Sequence, residues 1–423
     1  MARNYKLKNI IIYNLILISL IFNQKLLIPM DETQNDHLKA YGLVYDALKK
    51  QIKVEWLLNY KNGSFLMDGK NLIAKEALIK GITYYTINAS ETNNIYEIIN
   101  NNNMDIALLE KAPDIAVYSP ADKQPWDDAV TLALTYAEID YDIIFDDEVL
   151  TGELKKYDWL HLHHEDFTGQ YGKFYKNYKN TTWYKKLENY FNKIAHNHGY
   201  SCVHKLKKSV ALKIRDYVIN GGFMFAMCSA TDSFDIALAA QDVDIAESVF
   251  DGSPIDNDYK NKLNFDNSFA FENYDLYTSP MIYEFSTIDY PPSHLPTTKS
   301  AEEDYFSLFE FSAKWDPVPT MLTQNHSSII NGFMGQTTGY NKEFLKKHVL
   351  VMGEDYISNQ AKYIHGNAGK GTFTFLGGHD PEDYKHFVGD PPTDLNLHRN
   401  SPGYRLILNN ILFPAAKKKK RKT

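Results

Sequence analysis

The chain has 423 residues, of which 44% are hydrophobic and 14% aromatic, enough apolar side chains to bury a large core. Its net charge of −8 includes six positive charges in the C-terminal run KKKKRK, so the rest of the chain is strongly acidic. An acidic surface repels phosphate backbones, and we therefore expect no nucleic-acid partner. The basic tail, residues 417–423, is interpreted as a solvated terminus.

The N-terminus has the pattern of an export signal. Arg3, Lys6 and Lys8 precede an apolar stretch at residues 10–22, which has the length of a signal-peptide core and is short for a membrane-spanning helix. No A-x-A-like cleavage site follows it, so residues 1–24 are predicted to be a signal peptide or an uncleaved anchor. We expect a periplasmic or envelope protein, with membrane association only through an uncleaved N-terminal segment.

Predicted strands and helices alternate along the chain. Residues 25–110 are predicted to form an N-terminal α/β module, which begins with the strand KLLIPM, a helix over DHLKAYGLVYDALKK and the strand IKVEWLLNY. Residues 111–416 continue the alternation with strands such as DIAVYSP, YDWLHLHHED and GFMFAMC, and they contain a polar insertion near residues 250–315. This order predicts an α/β fold with a doubly wound, mainly parallel sheet, an N-terminal α/β module and an inserted side lobe.

Three polar loops follow predicted strands of this sheet: HHEDFTG, CSATDS and GGHDPEDY. In open parallel sheets, ligands bind beyond the carboxyl ends of the strands. The sequence therefore predicts a small polar ligand at this edge. The predicted ligand-binding residues are His163, His164, Glu165, Asp166, Ser229, Asp127 and Gly378.

Cys228 ends an apolar strand and is followed at once by small and hydroxyl residues. Ala226 and Ala230 lie two residues before and after it, which gives the pattern of a nucleophile elbow with alanines in place of the usual glycines. A helix N-terminus would activate the thiol and supply backbone donors for an oxyanion. A buried structural cysteine and a disulfide with Cys202 are alternatives that the sequence leaves open.

His379 is the predicted catalytic base. It follows two glycines at the end of the strand GTFTFL, and Asp380 and Glu382 come directly after it. A carboxylate that orients a histidine completes the set of groups that a nucleophilic cysteine needs. A histidine that lines a polar pocket without taking part in chemistry is the alternative.

The run WLHLHHED offers side chains for a divalent metal. Strand alternation places His161 and His163 on one face of the strand and His164 on the other. Imidazole groups bind zinc and related ions, but neighbours in a strand point apart, so one loop rarely supplies a full ligand shell. Apart from this metal no cofactor is predicted, since the chain has neither GxGxxG nor GxxxxGK[ST].

Two motifs, RDYVINGGFMFAMCSATD and GKGTFTFLGGHDPEDY, resemble the class I glutamine amidotransferase-like superfamily, and the second resembles its trehalose-utilisation (ThuA-like) branch. Longer runs, among them DWLHLHHEDFTGQYGKF and HFVGDPPTDLNLHRNSPGYRLILNN, resemble an exported Bacteroidetes family commonly labelled asparagine synthetase B. The amidotransferase resemblance implies a flavodoxin-like sheet with Cys228 as nucleophile, His379 as base, and Glu382 or Asp380 as the orienting carboxylate. The ThuA-like branch often lacks the cysteine and implies a sugar-like ligand.

The chain departs from both patterns. Residue 2 is alanine, where asparagine synthetase B needs a cysteine nucleophile, and no SGG-x-DS loop is present to hold ATP. The run HHED stands where amidotransferases carry a glycine-rich oxyanion loop. We therefore expect no asparagine synthetase activity. The predicted function is that of an exported protein with an amidotransferase-like fold, which binds or processes a small polar, sugar-like ligand at the carboxyl edge of the sheet. A Cys–His glutamine amidotransferase or amidohydrolase and a non-enzymatic envelope protein are the alternatives.

Overall fold

The computed structural model describes residues 24–120, 128–289, 304–316, 318–333, 335–383 and 391–416. Residues 1–23 of the predicted signal segment 1–24, the predicted ligand residue Asp127 and the basic tail lie outside the described residues. Among the helices that the described ranges contain, none combines the length and the apolar character needed to cross a membrane.

Five antiparallel strands form the sheet of the N-terminal module. They are β1 (Lys25–Ile28), β2 (Val54–Leu58), β3 (Ser64–Asp68), β4 (Tyr85–Ile87) and β5 (Asp105–Leu109), in the spatial order β4-β1-β3-β2-β5. The helices of the module are α1 (His37–Lys49), α2 (Asn71–Ile79) and α3 (Ala89–Asn101). Because β3 pairs antiparallel with both β1 and β2, those two strands run parallel with β3 between them, which is a split β-α-β unit.

The larger sheet has ten strands and is mixed. Its parallel half contains, in spatial order, β7 (Asp142–Ile144), β6 (Ile115–Tyr118), β8 (Trp159–Leu162), β9 (Phe223–Met227) and β15 (Gly371–Leu376). Its antiparallel half contains β14 (Gln360–Ala368), β13 (Leu350–Asp355), β10 (Tyr305–Leu308) and β11 (Ile329–Asn331), with β12 (Tyr340–Asn341) beside β14. The predicted α/β fold is confirmed. The sheet is less parallel than expected because β14 and β15 form a hairpin, whose short turn requires antiparallel pairing.

Helices cover both faces of the larger sheet. They are α4 (Ala129–Ala137), α5 (Asp146–Thr151), α6 (Tyr175–Tyr178), α7 (Thr182–Asn197), α8 (Val203–Ile219), α9 (Ser229–Ala239), α10 (Ser248–Asp251), α11 (Tyr259–Lys262) and α12 (Pro402–Leu412). Trp159 and Phe225 face a core shared with α1, α4, α12 and the N-terminal sheet. Leu160 and Met224 face the opposite core, which contains residues of α8 and α9. Since alternate residues fill different cores, these strands are buried on both faces, and their residues are apolar except for His161 of β8.

The guanidinium of Arg405 joins α12 to the N-terminal module. It is fully buried and donates hydrogen bonds to the carbonyl oxygen of Met30 at 2.8 Å, the carbonyl oxygen of Asn62 at 2.5 Å and the hydroxyl of Tyr41 at 3.1 Å. A buried charge is tolerated only where hydrogen bonds replace its hydration. The loops of the module provide that replacement, so helix and module are held in one arrangement.

We expect Arg405→Met to lower the free energy of unfolding by about 3–5 kcal/mol, because the buried Met30 carbonyl, the partly buried Asn62 carbonyl and the Tyr41 hydroxyl each lose a donor. Arg399→Met is the matched control, since Arg399 is exposed and its guanidinium donates to the carbonyl oxygen of Asn396 in its own turn. The control should change stability by less than about 0.5 kcal/mol. Urea denaturation followed by circular dichroism measures both, and equal midpoints for the two variants would show that the buried guanidinium does not hold the module in place.

Candidate functional site

The loops after β8, β9 and β15 meet at the carboxyl edge of the parallel strands. The backbone N–H of Cys228 donates to the carbonyl oxygen of Gly378 at 3.1 Å, and that of Ala230 donates to the carbonyl oxygen of His163 at 3.1 Å. The rings of His163 and His379 lie edge to face, with centroids 5.2 Å apart. The structure therefore brings Cys228, His379 and His163 together from three distant parts of the chain.

Cys228 occupies a strained turn between β9 and α9. Its φ of 49° and ψ of −138° lie in a region that residues other than glycine rarely adopt, at a cost of about 1–3 kcal/mol. A sharp strand-to-helix turn of this kind is the geometry of a nucleophile elbow, and the buried Ala226 and Ala230 leave room for it. Both cysteines are free, so the disulfide with Cys202 considered from the sequence is wrong.

Backbone N–H groups surround the sulfur of Cys228. Those of Thr337, Gln336 and Ser229 lie close enough to favour the charged form of the thiol, and the residue is 1% exposed. Burial raises the pKa of the Cys228 thiol to about 12, and the nearby backbone N–H groups oppose this shift without cancelling it. The resting thiol is therefore neutral, and it becomes a nucleophile only when a base accepts its proton.

Two glycines bring His379 close to Cys228. A Cβ atom on Gly335 would lie 3.0 Å from the Cys228 sulfur and 2.8 Å from Cδ2 of His379, so both side chains contact the same small residue. Gly378 has a φ of +80°, and a Cβ there would lie 1.6 Å from the carbonyl oxygen of Phe333. A side chain at either position would collide with these neighbours, so both positions favour glycine.

Asp380 orients His379. Nδ1 of His379 lies 2.5 Å from Oδ2 of Asp380, and both residues are buried. A carboxylate that accepts the Nδ1 proton leaves Nε2 as the acceptor nitrogen of the ring. The other predicted orienting group, Glu382, instead contacts Nδ1 of His398 at 3.5 Å.

Two residues predicted to bind ligand, Asp166 and Ser229, make hydrogen bonds that stabilise the loops of the site. The carboxylate of Asp166 accepts hydrogen bonds from the backbone N–H groups of Gln170 at 2.7 Å and Gly172 at 3.0 Å. The hydroxyl of Ser229 is fully buried and donates to the carbonyl oxygen of His164 at 3.1 Å. These contacts fix the position of the loop after β8 against the N-terminus of α9.

Two buried carboxyl groups next to these loops have raised pKa values. Burial raises the pKa of Glu165 to about 7, with Lys207 opposing the shift. Burial also raises the pKa of Asp232 to about 7, although the 3.0 Å hydrogen bond from the hydroxyl of Thr337 acts to lower that pKa. Asp232 lies in the first turn of α9 and was not identified from the sequence.

Asp128, a further residue missed from the sequence, joins two histidines of the β8 region. It is the N-cap of α4, where its Oδ1 accepts hydrogen bonds from two backbone N–H groups. Its Oδ2 lies 3.2 Å from Nε2 of His161 and 3.2 Å from Nδ1 of His163. Burial alone would raise the pKa of Asp128, but the charges of the two histidines and their hydrogen bonds outweigh it and hold that pKa well below its usual range.

Two groups among the described residues have the spacing of metal ligands. The first is Asp128, His161 and His163, and the second is His163, His379 and Asp380; in each group the ligand atoms lie within 4.8 Å of one another. His161 and His163 share a face of the strand, as alternation requires. His164, the third metal ligand considered from the sequence, belongs to neither group.

Comparisons with known proteins assign no family. No protein-family model matches the chain, and no curated protein matches it. Among solved structures, the cytoplasmic proteins STM3548 and STM1381 of Salmonella typhimurium share 10% and 12% identity with TM-scores of 0.36 and 0.35, each over 72% of this chain and 100% of theirs. A GH42 β-galactosidase, Gan42B of G. stearothermophilus, shares 11% identity with a TM-score of 0.25 over 64% of this chain and 28% of its own.

The buried thiol should react slowly with alkylating reagents. With a pKa of about 12, we expect iodoacetamide at pH 7.5 to modify Cys228 at least about 100-fold more slowly in the native protein than in the urea-unfolded chain. The rate should rise as the pH increases, because the thiolate fraction increases. Peptide-resolved mass spectrometry on the Cys202→Ser variant measures it, and native alkylation at the unfolded rate would contradict a buried, neutral thiol.

Proposed function

We propose that this protein is a thiol-dependent hydrolase or transferase with an amidotransferase-like fold, which acts on the amide or ester of a small polar ligand. The observation that supports this most directly is the strained φ of 49° at Cys228. Folded chains rarely keep such strain without a functional reason. The strained residue here is Cys228, and its thiol lies at the turn from a strand to a helix, which is the position of the nucleophile in an elbow.

The surroundings of Cys228 supply the other parts that such a reaction needs. In the proposed reaction, Nε2 of His379 accepts the thiol proton as the sulfur attacks a carbonyl carbon, and it then gives the proton to the leaving amine or alcohol. The resulting thioester is hydrolysed by water or transferred to an acceptor amine. Asp380 holds His379 in the required tautomer through the 2.5 Å contact at Nδ1.

The backbone donors near the sulfur are suited to an oxyanion hole. The N–H of the residue after the nucleophile, here Ser229, is one of the two donors in enzymes with an elbow. The loop of Gln336 and Thr337 offers further N–H groups beside the sulfur. In the proposed intermediate these groups bind the carbonyl oxygen, which carries the negative charge. Amidotransferases use a glycine-rich loop for this purpose, and this chain has HHED at that place. In the proposal, the N–H groups near Cys228 supply the oxyanion donors that the glycine-rich loop would supply.

Sequence features extend the proposal. The basic and apolar N-terminus favours an exported protein, and the missing SGG-x-DS loop argues against an ATP-dependent asparagine synthetase. A second candidate function, non-covalent binding of a small polar or sugar-like ligand, is favoured by one observation. Cys228 is 1% exposed and its pKa is raised by burial, as in a structural cysteine.

Substitution of the proposed nucleophile tests the first candidate against the second. Ammonia release from a panel of small amides, including glutamine, asparagine and N-acetylated sugars, is measured for Cys228→Ala and His379→Gln. We expect kcat/KM to fall by more than about 100-fold in both, because each variant removes a group that acts in the transition state. Cys202→Ala is the matched control and should keep wild-type activity.

A covalent probe keeps the test decisive if no amide in the panel is a substrate. A chloroketone analogue of glutamine should label Cys228 in the native protein, and His379→Gln should slow that labelling without unfolding the chain. Turnover that survives Cys228→Ala would refute the thiol mechanism. Absence of both turnover and labelling, together with wild-type ligand affinity in Cys228→Ala, would leave non-covalent binding as the function.

A further inference from the structure

We propose that Asp128, His161 and His163 form a binding site for a divalent d-block cation, of which zinc is the best match. The site goes beyond the proposed thiol function, because it needs neither Cys228 nor His379. Two imidazoles and one carboxylate are ligands that zinc and related ions accept. The inference rests on the spacing of the ligand atoms, the donors and acceptors around His161, and the rigidity of its surroundings.

Oδ2 of Asp128 has the separation from each histidine nitrogen that one ion requires, and all three ligand atoms lie within 4.8 Å of one another. Oδ2 of Asp128 lies 3.2 Å from Nε2 of His161 and 3.2 Å from Nδ1 of His163. Two ligands bound about 2.0–2.1 Å from one ion are about 2.8–3.0 Å apart in octahedral geometry and about 3.3–3.4 Å apart in tetrahedral geometry. An ion can therefore join these atoms with little movement of the chain.

The two ring nitrogens of His161 both face oxygen atoms. Nδ1 lies 3.2 Å from the carbonyl oxygen of Phe225, which can only accept a hydrogen bond, so Nδ1 carries the proton. A neutral ring then directs the lone pair of Nε2 at the carboxylate of Asp128, which is a repulsive contact between two acceptors. A proton or a metal ion must therefore lie between Nε2 and Oδ2.

The surroundings of His161 hold its ring in the orientation of a ligand. Histidines that bind metals usually donate their other N–H to a backbone carbonyl or a carboxylate, which fixes the tautomer. The carbonyl oxygen of Phe225 has this role here. The rings of Trp159 and Phe225 stack on His161 with centroids 5.9 and 5.8 Å away, so the ring cannot turn without disturbing the core.

Asp128 is fixed in a similar way. Its Oδ1 accepts the N–H groups of Val130 at 2.8 Å and Thr131 at 2.9 Å, which leaves Oδ2 directed at the two histidines. Three protein ligands leave at least one coordination position for water or for an oxygen of a bound ligand, as in catalytic zinc sites. The class of ligand that this site would take is therefore a small molecule with a carboxylate, hydroxyl or carbonyl oxygen.

Cobalt binding to the metal-free protein tests the site directly. The chain is dialysed against a chelator and titrated with Co²⁺, whose visible absorption reports coordination by nitrogen and oxygen ligands, and Zn²⁺ is then added in competition. We expect one Co²⁺ per chain, displaced by Zn²⁺, with an unchanged titration in Cys228→Ala. His163→Gln and Asp128→Asn should weaken binding by more than the roughly 10- to 100-fold that loss of a second-shell partner costs.

Two comparisons separate metal binding from a folding defect. Asp128→Asn keeps an oxygen for the helix cap, so thermal unfolding should show a folded chain that has lost the metal ligand. His365→Gln is the matched control, a buried histidine whose Nδ1 contacts the Thr374 hydroxyl at 2.8 Å, and it should bind Co²⁺ as the wild type does. Absence of cobalt absorption in the wild type, or equal affinity in Asp128→Asn and the wild type, would overturn the proposal and leave a proton in place of the metal ion between Nε2 of His161 and Oδ2 of Asp128.

Discussion

The parallel pairing of β8, β9 and β15 is the constraint on which the site depends. Trp159 pairs with Phe223, and Phe223 pairs with Thr372, so the three strands end at the same edge of the sheet. Each strand is packed on both faces, and a shift of one residue would exchange Leu160 and His161 between the two cores. The same hydrophobic packing that selects the fold therefore decides which loops meet.

Residues placed by strand periodicity could be predicted from the sequence. Alternation along WLHLHH puts His161 and His163 on one face, and the rule for parallel sheets brings the loops of Cys228 and His379 to one edge. The α/β class follows from the same alternation of elements. Periodicity does not predict the direction of a polar side chain within a loop. The hydrogen bonds from the backbone of its own loop to the carboxylate of Asp166 are one example of a contact that the sequence pattern does not contain.

The parts of the site that the sequence did not reveal come from segments far from the predicted loops. Gly335 and Thr337 belong to a loop after β11, and Asp128 caps a helix on another part of the chain. An aspartate before a helix is most often a cap, and Asp128 has that role as well as its contact with the histidines. The sequence around Asp128 therefore indicates a helix cap and gives no sign of the contact with the histidines.

Packing connects the N-terminal module to the site. Arg405 holds α12 against the loops of the module, and Tyr404 of the same helix shares a core with Phe333. The backbone N–H of Phe333 donates to the carbonyl oxygen of Asp380 at 3.3 Å, so the packing of α12 reaches the residue that orients the catalytic candidate His379. A strained residue persists only where its surroundings over-determine its conformation. The N-terminal module fixes the position of α12, against which the loops of the site pack. It therefore helps to hold the strained conformation of Cys228, although the two are distant in sequence.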